Sequence, residues 1–193
     1  MAAINQTNQT NTQLKTDRLI LRHFTADDAP RVYDLLKDNI ISKYINFLPS
    51  PYELQHATDW IATHEKMREN QTGINFAIII KDTNQPIGVV SLGMMSMHHR
   101  HAELGYWIGQ PYWSNGYVTE AAKAILDYGF NVCNLNRIYS YHVPENTASG
   151  RIMEKLNMAH EGTLRQHLNH NGKLTDSIVR AILKQDFLSS QFP

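Results

Sequence analysis

The sequence predicts a mixed α+β fold, one sheet of about seven mostly antiparallel strands with helices around it. Three observations carry this. In the middle of the chain two strand–helix units follow one another, Ala102–Gln110 into Val118–Val132 and then Asn136–Val143 into the segment after Asn146. Upstream, the apolar runs Ile74–Lys81 and Ile87–Met97 are separated by the turn residues DTNQP, so they pair as neighbours. Downstream, Met158–Leu168 and Lys173–Leu183 flank NHNG, whose Asn171-Gly172 pair suits a type I′ hairpin.

The elements follow in order. The start, MAAINQTNQTNTQ, is polar, without a basic or an apolar region, so residues 1–13 are expected to be a mobile tail and not a secretory signal. A single domain is expected over 14–188. Leu19 and Leu21 alternate inside a first strand. Thr25 with Asp28 three residues on has the form of a capping box, opening a helix over Asp27–Lys37 with Val32, Leu35 and Leu36 inward. Ser50, Pro51 and Glu53 repeat the start signal as N-cap, first and third helical positions of a helix reaching about Glu69. Asn146 is placed to cap the last of the central helices, and Asn157 stands where that helix must end in a left-handed residue.

Composition excludes several function classes. Lysine plus arginine and aspartate plus glutamate number 18 each, so no global field draws the chain to nucleic acid or an acidic membrane. No apolar run approaches the roughly twenty residues that span a bilayer. The single Cys133 rules out an intramolecular disulfide framework, and a cytoplasmic location is expected. Ten histidines, among them His98, His99, His101, His167 and His170, raise the question of a metal, but no cysteine or carboxylate cluster completes a tetrahedral set and no metal is expected.

The chain is organised around the connection Trp113 to Thr119. A short polar loop with one glycine, Gly116, feeds a helix N-terminus, where main-chain N–H groups without internal partners face the positive end of the helix dipole. Such a junction either holds an anion or is an ordinary strand-to-helix turn.

The words GYWIGQPYWSNGYVTEAA and HVPENTASGRIMEKL, with TDRLILR near the start, resemble the GCN5-related N-acetyltransferases, and within them the Rim-type branch that acetylates N-termini of ribosomal proteins. The resemblance runs from Leu14 to about Phe187. It implies a sheet splayed in its middle and acetyl-CoA as co-substrate. The acceptor it implies is a primary amine, either a protein N-terminus or a small molecule such as a polyamine, amino acid or antibiotic, and a homodimer is common among relatives. A coenzyme A-binding sensor without catalysis is the reading from a different class.

The resemblance also implies residue roles. Main-chain groups of Ser114, Asn115, Gly116, Tyr117, Val118 and Thr119 would hold the coenzyme pyrophosphate. Trp113 takes the first place of the family's loop pattern and Gly116 is intact, while Ser114 replaces a common glycine and Val118 a glycine or alanine. Main-chain groups near Trp107 and Ile108 would bind the pantetheine amides and polarise the thioester carbonyl. The segment Asn39 to Ser50 would form part of the acceptor wall.

An amine is mostly protonated at neutral pH, so a base is required. Glu103 is the candidate, since alternation puts it on the face of Trp107 and Gly105; the other reading is a surface glutamate paired with Arg100 or a histidine. Glu120 is the rival carboxylate, explained equally by the helix dipole. Relatives often carry a tyrosine seven residues after the capping asparagine to protonate the thiolate. Here that residue is Met153, and Ser149 is the candidate instead, or else a second cap. Asn146 either contacts the pantetheine arm or only caps.

Overall fold

The computed structural model describes residues 12–38, 40–41, 44–45, 48–170 and 172–189. The expected tail lies outside them except for Thr12 and Gln13, as do Asn171 of the hairpin turn and five residues of the expected acceptor wall, Asn39, Ser42, Lys43, Asn46 and Phe47.

Among the described residues one sheet of eight strands is ordered β1-β2-β3-β4-β5-β6-β8-β7. The strands are β1 Gln13–Lys15, β2 Leu19–Arg22, β3 Ile74–Ile80, β4 Pro86–Ser96, β5 His101–Ile108, β6 Arg137–His142, β7 Ala159–His170 and β8 Lys173–Leu183. Every neighbouring pair is antiparallel except β5 and β6, which are parallel. The strand beyond the expected seven is β1, three residues at the sheet edge that carry no apolar alternation of their own and are set by pairing with β2.

Helices α3 (Tyr117–Asn131), α4 (Thr147–Lys155) and α5 (Lys184–Ser189) cover one face, where Leu104, Ile125, Phe130, Ile138, Met153 and Phe187 share one buried cluster. Helices α1 (Ala29–Leu36) and α2 (Leu54–Glu69) cover the other, burying Val32, Leu36, Tyr52, Ala57 and Ile61, with the ring of Trp107 packed against them.

The capping box at Thr25 is present, its N–H donating to the Asp28 carboxylate at 2.8 Å, although a 3-10 turn over Ala26–Asp28 precedes α1. The start of α2 differs from expectation. Tyr52 is buried under the helix and the chain stays extended through Glu53, so Glu53 and not Ser50 is the N-cap, its N–H donating to His56 Nδ1 at 3.0 Å. Asn146 caps α4 through Oδ1, which accepts the Ser149 N–H at 3.2 Å, and Asn157 after its end has φ 56.

Candidate active site

The parallel pairing of β5 with β6 stops early. His101, Ala102 and Glu103 pair with Arg137, Ile138 and Tyr139. Beyond them each strand continues against its outer neighbour, β5 against β4 as far as Ile108 and β6 against β8 as far as His142. A last tie is Ser140 Oγ, donating to the Leu104 carbonyl at 2.8 Å. Past that point the inner edges of β5 and β6 are unpaired, a splay in the middle of the sheet.

Which main-chain groups face it follows from the register. The Gly109 N–H donates to Ile87 O at 2.8 Å, so position 109 faces β4, and by the two-residue alternation so do Trp107 and Gly105. The groups of Tyr106 and Ile108 face the splay. Of the two positions expected there, Ile108 is in place, while Trp107 turns its main chain to β4 and Tyr106 stands instead. The Ile108 carbonyl already accepts the Trp113 indole N–H at 2.9 Å, which leaves its N–H for the opening.

The splay leads to the N-terminus of α3. Gly116 is its N-cap with φ 78, and Ser114 also lies in the left-handed region with φ 62, which is why glycine suits that position better. The first helical bond runs from Glu120 N–H to Gly116 O at 3.1 Å, so the amides of Tyr117, Val118 and Thr119 have no acceptor inside the helix. The Val118 side chain is buried, so the bulk that replaces a small residue does not sit in the loop.

The loop is tied down from outside. Arg18 donates from Nη1 to the Asn115 carbonyl at 3.0 Å and lies over the Tyr117 ring at 4.7 Å, while Asn115 Nδ2 donates to Trp113 O at 2.9 Å. Arg18 was legible only as part of the word TDRLILR. Glu120 is fully engaged: Thr16 Oγ1 donates to it at 2.5 Å, and the Arg18 amide and Nε at 2.9 and 2.7 Å. Burial would raise its pKa, but these donors outweigh burial and hold it below the usual glutamate value. It is an anchored structural carboxylate.

Glu103 is the opposite case. Arg100, its expected alternative partner, bonds Asn134 instead, from Nε to the carbonyl at 2.8 Å and from Nη2 to Oδ1 at 2.9 Å. Among the described residues Glu103 has no hydrogen-bond or ion-pair partner, and burial pushes its pKa above the usual value. Its cross-strand neighbours on the same face are Gly93 and Tyr139, and Gly105 is next along the strand. A Cβ added at Gly93 would meet nothing within 4 Å, so the side of the carboxylate towards β4 is open, whereas a Cβ at Gly105 would meet Ser91 Oγ at 2.8 Å. Trp107 and Trp60 of α2, ring centroids 6.4 Å apart, wall one side. Tyr139 and Tyr141 wall the other; burial first, and then the charge of Glu103, raises the pKa of both phenols. His101 follows on this face, its ring 5.9 Å from Tyr139, while His98 and His99 are exposed in the turn before it.

On the opposite face Ser149 is buried in the first turn of α4 with its Oγ 2.8 Å from the Tyr106 hydroxyl. Met153, where relatives carry tyrosine, is fully buried in the core. Tyr106 was missed in the sequence, although alternation from Glu103 already places it on the helix-bearing face. Cys133 is no nucleophile: burial pushes its thiol up to about 11, and the Tyr128 hydrogen bond lowers it only in part. No group of three His, Cys, Asp or Glu among the described residues could hold a metal, and none of their helices is long and apolar enough to cross a membrane.

One chain thus carries a splayed sheet, an open helix N-terminus and an unpaired carboxylate. The acetyltransferase (GNAT) domain family matches residues 18–159, and the chain belongs to that family. It is an N-acetyltransferase with acetyl-CoA as co-substrate. The uncharacterized N-acetyltransferase p20 of Bacillus licheniformis is 33% identical over 90% of this chain and 97% of its own. Spermidine N(1)-acetyltransferase of Escherichia coli is 28% identical over 88% of each. The structure of RimL, a ribosomal L7/L12 alpha-N-protein acetyltransferase in complex with coenzyme A, superposes with TM-score 0.83 at 16% identity, covering 89% of this chain and 98% of that one.

Proposed function

We propose that the acceptor is the N-terminal α-amine of a protein, of the ribosomal-protein type, acetylated in the cytoplasm by direct transfer within a single domain over residues 14–188. The observation that carries this is the solitary carboxylate of Glu103, open towards Gly93 of β4. A polyamine carries several positive charges and calls for several carboxylates. On this face β4 offers Val89, Ser91 and Gly93, β5 Glu103, Gly105 and Trp107, and β6 Arg137, Tyr139 and Tyr141, so Glu103 is the one acid among these nine positions, while Glu161 of β7 is taken up by Arg137. In sequence the stretch Asn39 to Ser50 contains Lys43 and no acid. One amine beside one base, with aromatic walls for the residues that follow it, fits the end of a peptide. A small-molecule amine is the second reading, favoured by the likeness to the spermidine enzyme.

In this mechanism the amides of Ser114 to Thr119 hold the pyrophosphate and those facing the splay, Ile108 among them, hold the pantetheine arm, with Asn146 capping the helix beside it. Glu103 takes a proton from the incoming ammonium, for which its raised pKa suits it. The neutral amine attacks the thioester carbonyl, its nitrogen sheds the extra proton to solvent, the carbon–sulfur bond breaks with its electron pair on sulfur, and Ser149 hydrogen-bonds that sulfur. The test is acetyl-CoA consumption against peptides with free N-termini and against a panel of small amines. Turnover on peptides alone is expected; turnover on small amines alone replaces this acceptor with a metabolite or antibiotic.

A further inference from the structure

We infer that Tyr106 is a positioning residue for thiolate departure, donating its phenolic proton to Ser149 Oγ so that the serine's own proton is aimed at the leaving sulfur. The inference rests on the proposed role of Ser149. Two acceptors lie within reach of the phenol, Ser149 Oγ at 2.8 Å and the Ser149 carbonyl at 3.2 Å. The carbonyl belongs to the helical ladder of α4, and the shorter contact is to the hydroxyl. A serine oxygen that accepts from one side has its single proton left for the other, and accepting makes it a better donor.

Two further observations support this direction. Tyr106 is the residue whose main chain borders the splay, and as a whole residue it stays partly exposed. Burial pushes the phenol up to about 12, with the Ser149 hydrogen bond opposing, so it keeps its proton at any working pH. The phenol comes from β5, one residue from Trp107, and reaches the first turn of α4, while Met153 further along that helix is buried in the core. In the step itself, the carbon–sulfur bond breaks, sulfur keeps the electron pair and accepts the hydrogen bond from Ser149, and the thiolate takes its proton from solvent. That proton balances the one the attacking nitrogen sheds to solvent on becoming an amide, and the proton Glu103 takes from the ammonium is the net release.

The experiment is steady-state kinetics of the full chain with acetyl-CoA, together with direct coenzyme A binding, for wild type, Tyr106→Phe, Ser149→Ala and the double variant. Tyr106→Phe keeps the ring and its packing. It is expected to lower kcat about tenfold, the worth of one oriented hydrogen bond, with KM for acetyl-CoA and coenzyme A affinity within about twofold. The double variant is expected to be no slower than Ser149→Ala, because the phenol acts only through the serine. Tyr106→Phe with unchanged kcat overturns the inference, and so does a loss that adds in full to that of Ser149→Ala. A raised KM at constant kcat assigns Tyr106 to holding α4 and overturns it also. Wild-type protein that binds no coenzyme A overturns the site reading and the positioning role with it, which a failure confined to Tyr106→Phe does not.

Discussion

Arg18 and Glu120, 102 positions apart, form a two-point contact in which the arginine gives both its side-chain Nε and its main-chain N–H to one carboxylate, at 2.7 and 2.9 Å. The pair joins the segment before β2 to the first turn of α3. It solves an electrostatic problem, since an unpaired carboxylate there would repel the phosphates that the helix N-terminus attracts.

Removing the arginine therefore exposes that charge. Arg18→Ala is expected to raise KM for acetyl-CoA about tenfold while kcat stays within twofold, from loss of charge-assisted bonds to Glu120 and the tie to Asn115 O. Adding Glu120→Gln to it should recover part of the loss by removing the repulsion. The arginine side chain is 49% exposed, so the cost in stability is held to about 1 kcal/mol or less. An unchanged KM in Arg18→Ala would show that the loop holds its shape unaided.

Glu103→Gln should lower kcat/KM about a hundredfold without altering coenzyme affinity. In the wild type, activity falls as pH drops through the pKa of Glu103, which burial places above the ordinary glutamate range. Stability runs the other way. A carboxyl whose folded pKa is raised contributes stability below its unfolded pKa, and that contribution is lost as pH rises through the folded value. At neutral pH the glutamine variant is thus expected to have the higher Tm, with the two curves meeting near the ordinary value of about 4.3. Calorimetry over this range, beside a pH–rate profile, checks both.

The open side of Glu103 towards β4 makes Gly93 a specificity position. A Cβ there meets nothing within 4 Å, so Gly93→Val is expected to fold with stability within about 0.5 kcal/mol of wild type. The added branches occupy the acceptor's space. KM for the acceptor should rise about tenfold or more and KM for acetyl-CoA should not move. Equal effects on both substrates would place the acceptor elsewhere.

His64 of α2 is 6% exposed among aromatic rings, with Trp60 at 4.4 Å, and neither ring nitrogen has a hydrogen-bond partner among the described residues. Burial, with His23 and Arg68 adding to it, pushes its pKa down to about 4. Below the unfolded value of about 6.5 the unfolded chain takes a proton that the folded one refuses, so stability is lost as pH falls towards 4, on the order of 3 kcal/mol in all. His64→Phe is expected to flatten that slope in chemical denaturation and to be about 1–2 kcal/mol more stable at pH 7, since two buried polar atoms without partners are gone. An unchanged slope would assign the acid sensitivity to other groups.

Much of the fold was legible because local chemistry dictates it. Alternation, apolar runs and turn residues marked β2 to β8, the Thr25 and Asn146 caps fixed two helix starts, and Asn157 took the left-handed turn that ends α4. The two successive strand–helix units around α3 were in place, and the loop with Gly116 stood where the helix opens. Glu103, Trp107 and Gly105 were placed on one face by counting alone.

The rest depends on which distant segments meet. The edge strand β1 and the late start of α2 are set by pairing with β2 and by the burial of Tyr52, neither of which has a local signal. Glu120 became an anchor and Glu103 an unpaired carboxylate because Arg18 and Thr16 reach one of them, while Arg100 turns to Asn134 and leaves the other. Tyr106 meets Ser149, 43 positions away, because the crossover lays α4 over the edge of β5. The sequence alone determined the order of the elements and the faces of their side chains, since both follow from backbone period. Partners were decided by the tertiary structure, because a charge or a hydroxyl acquires its role from whatever the fold sets within about 3 Å of it.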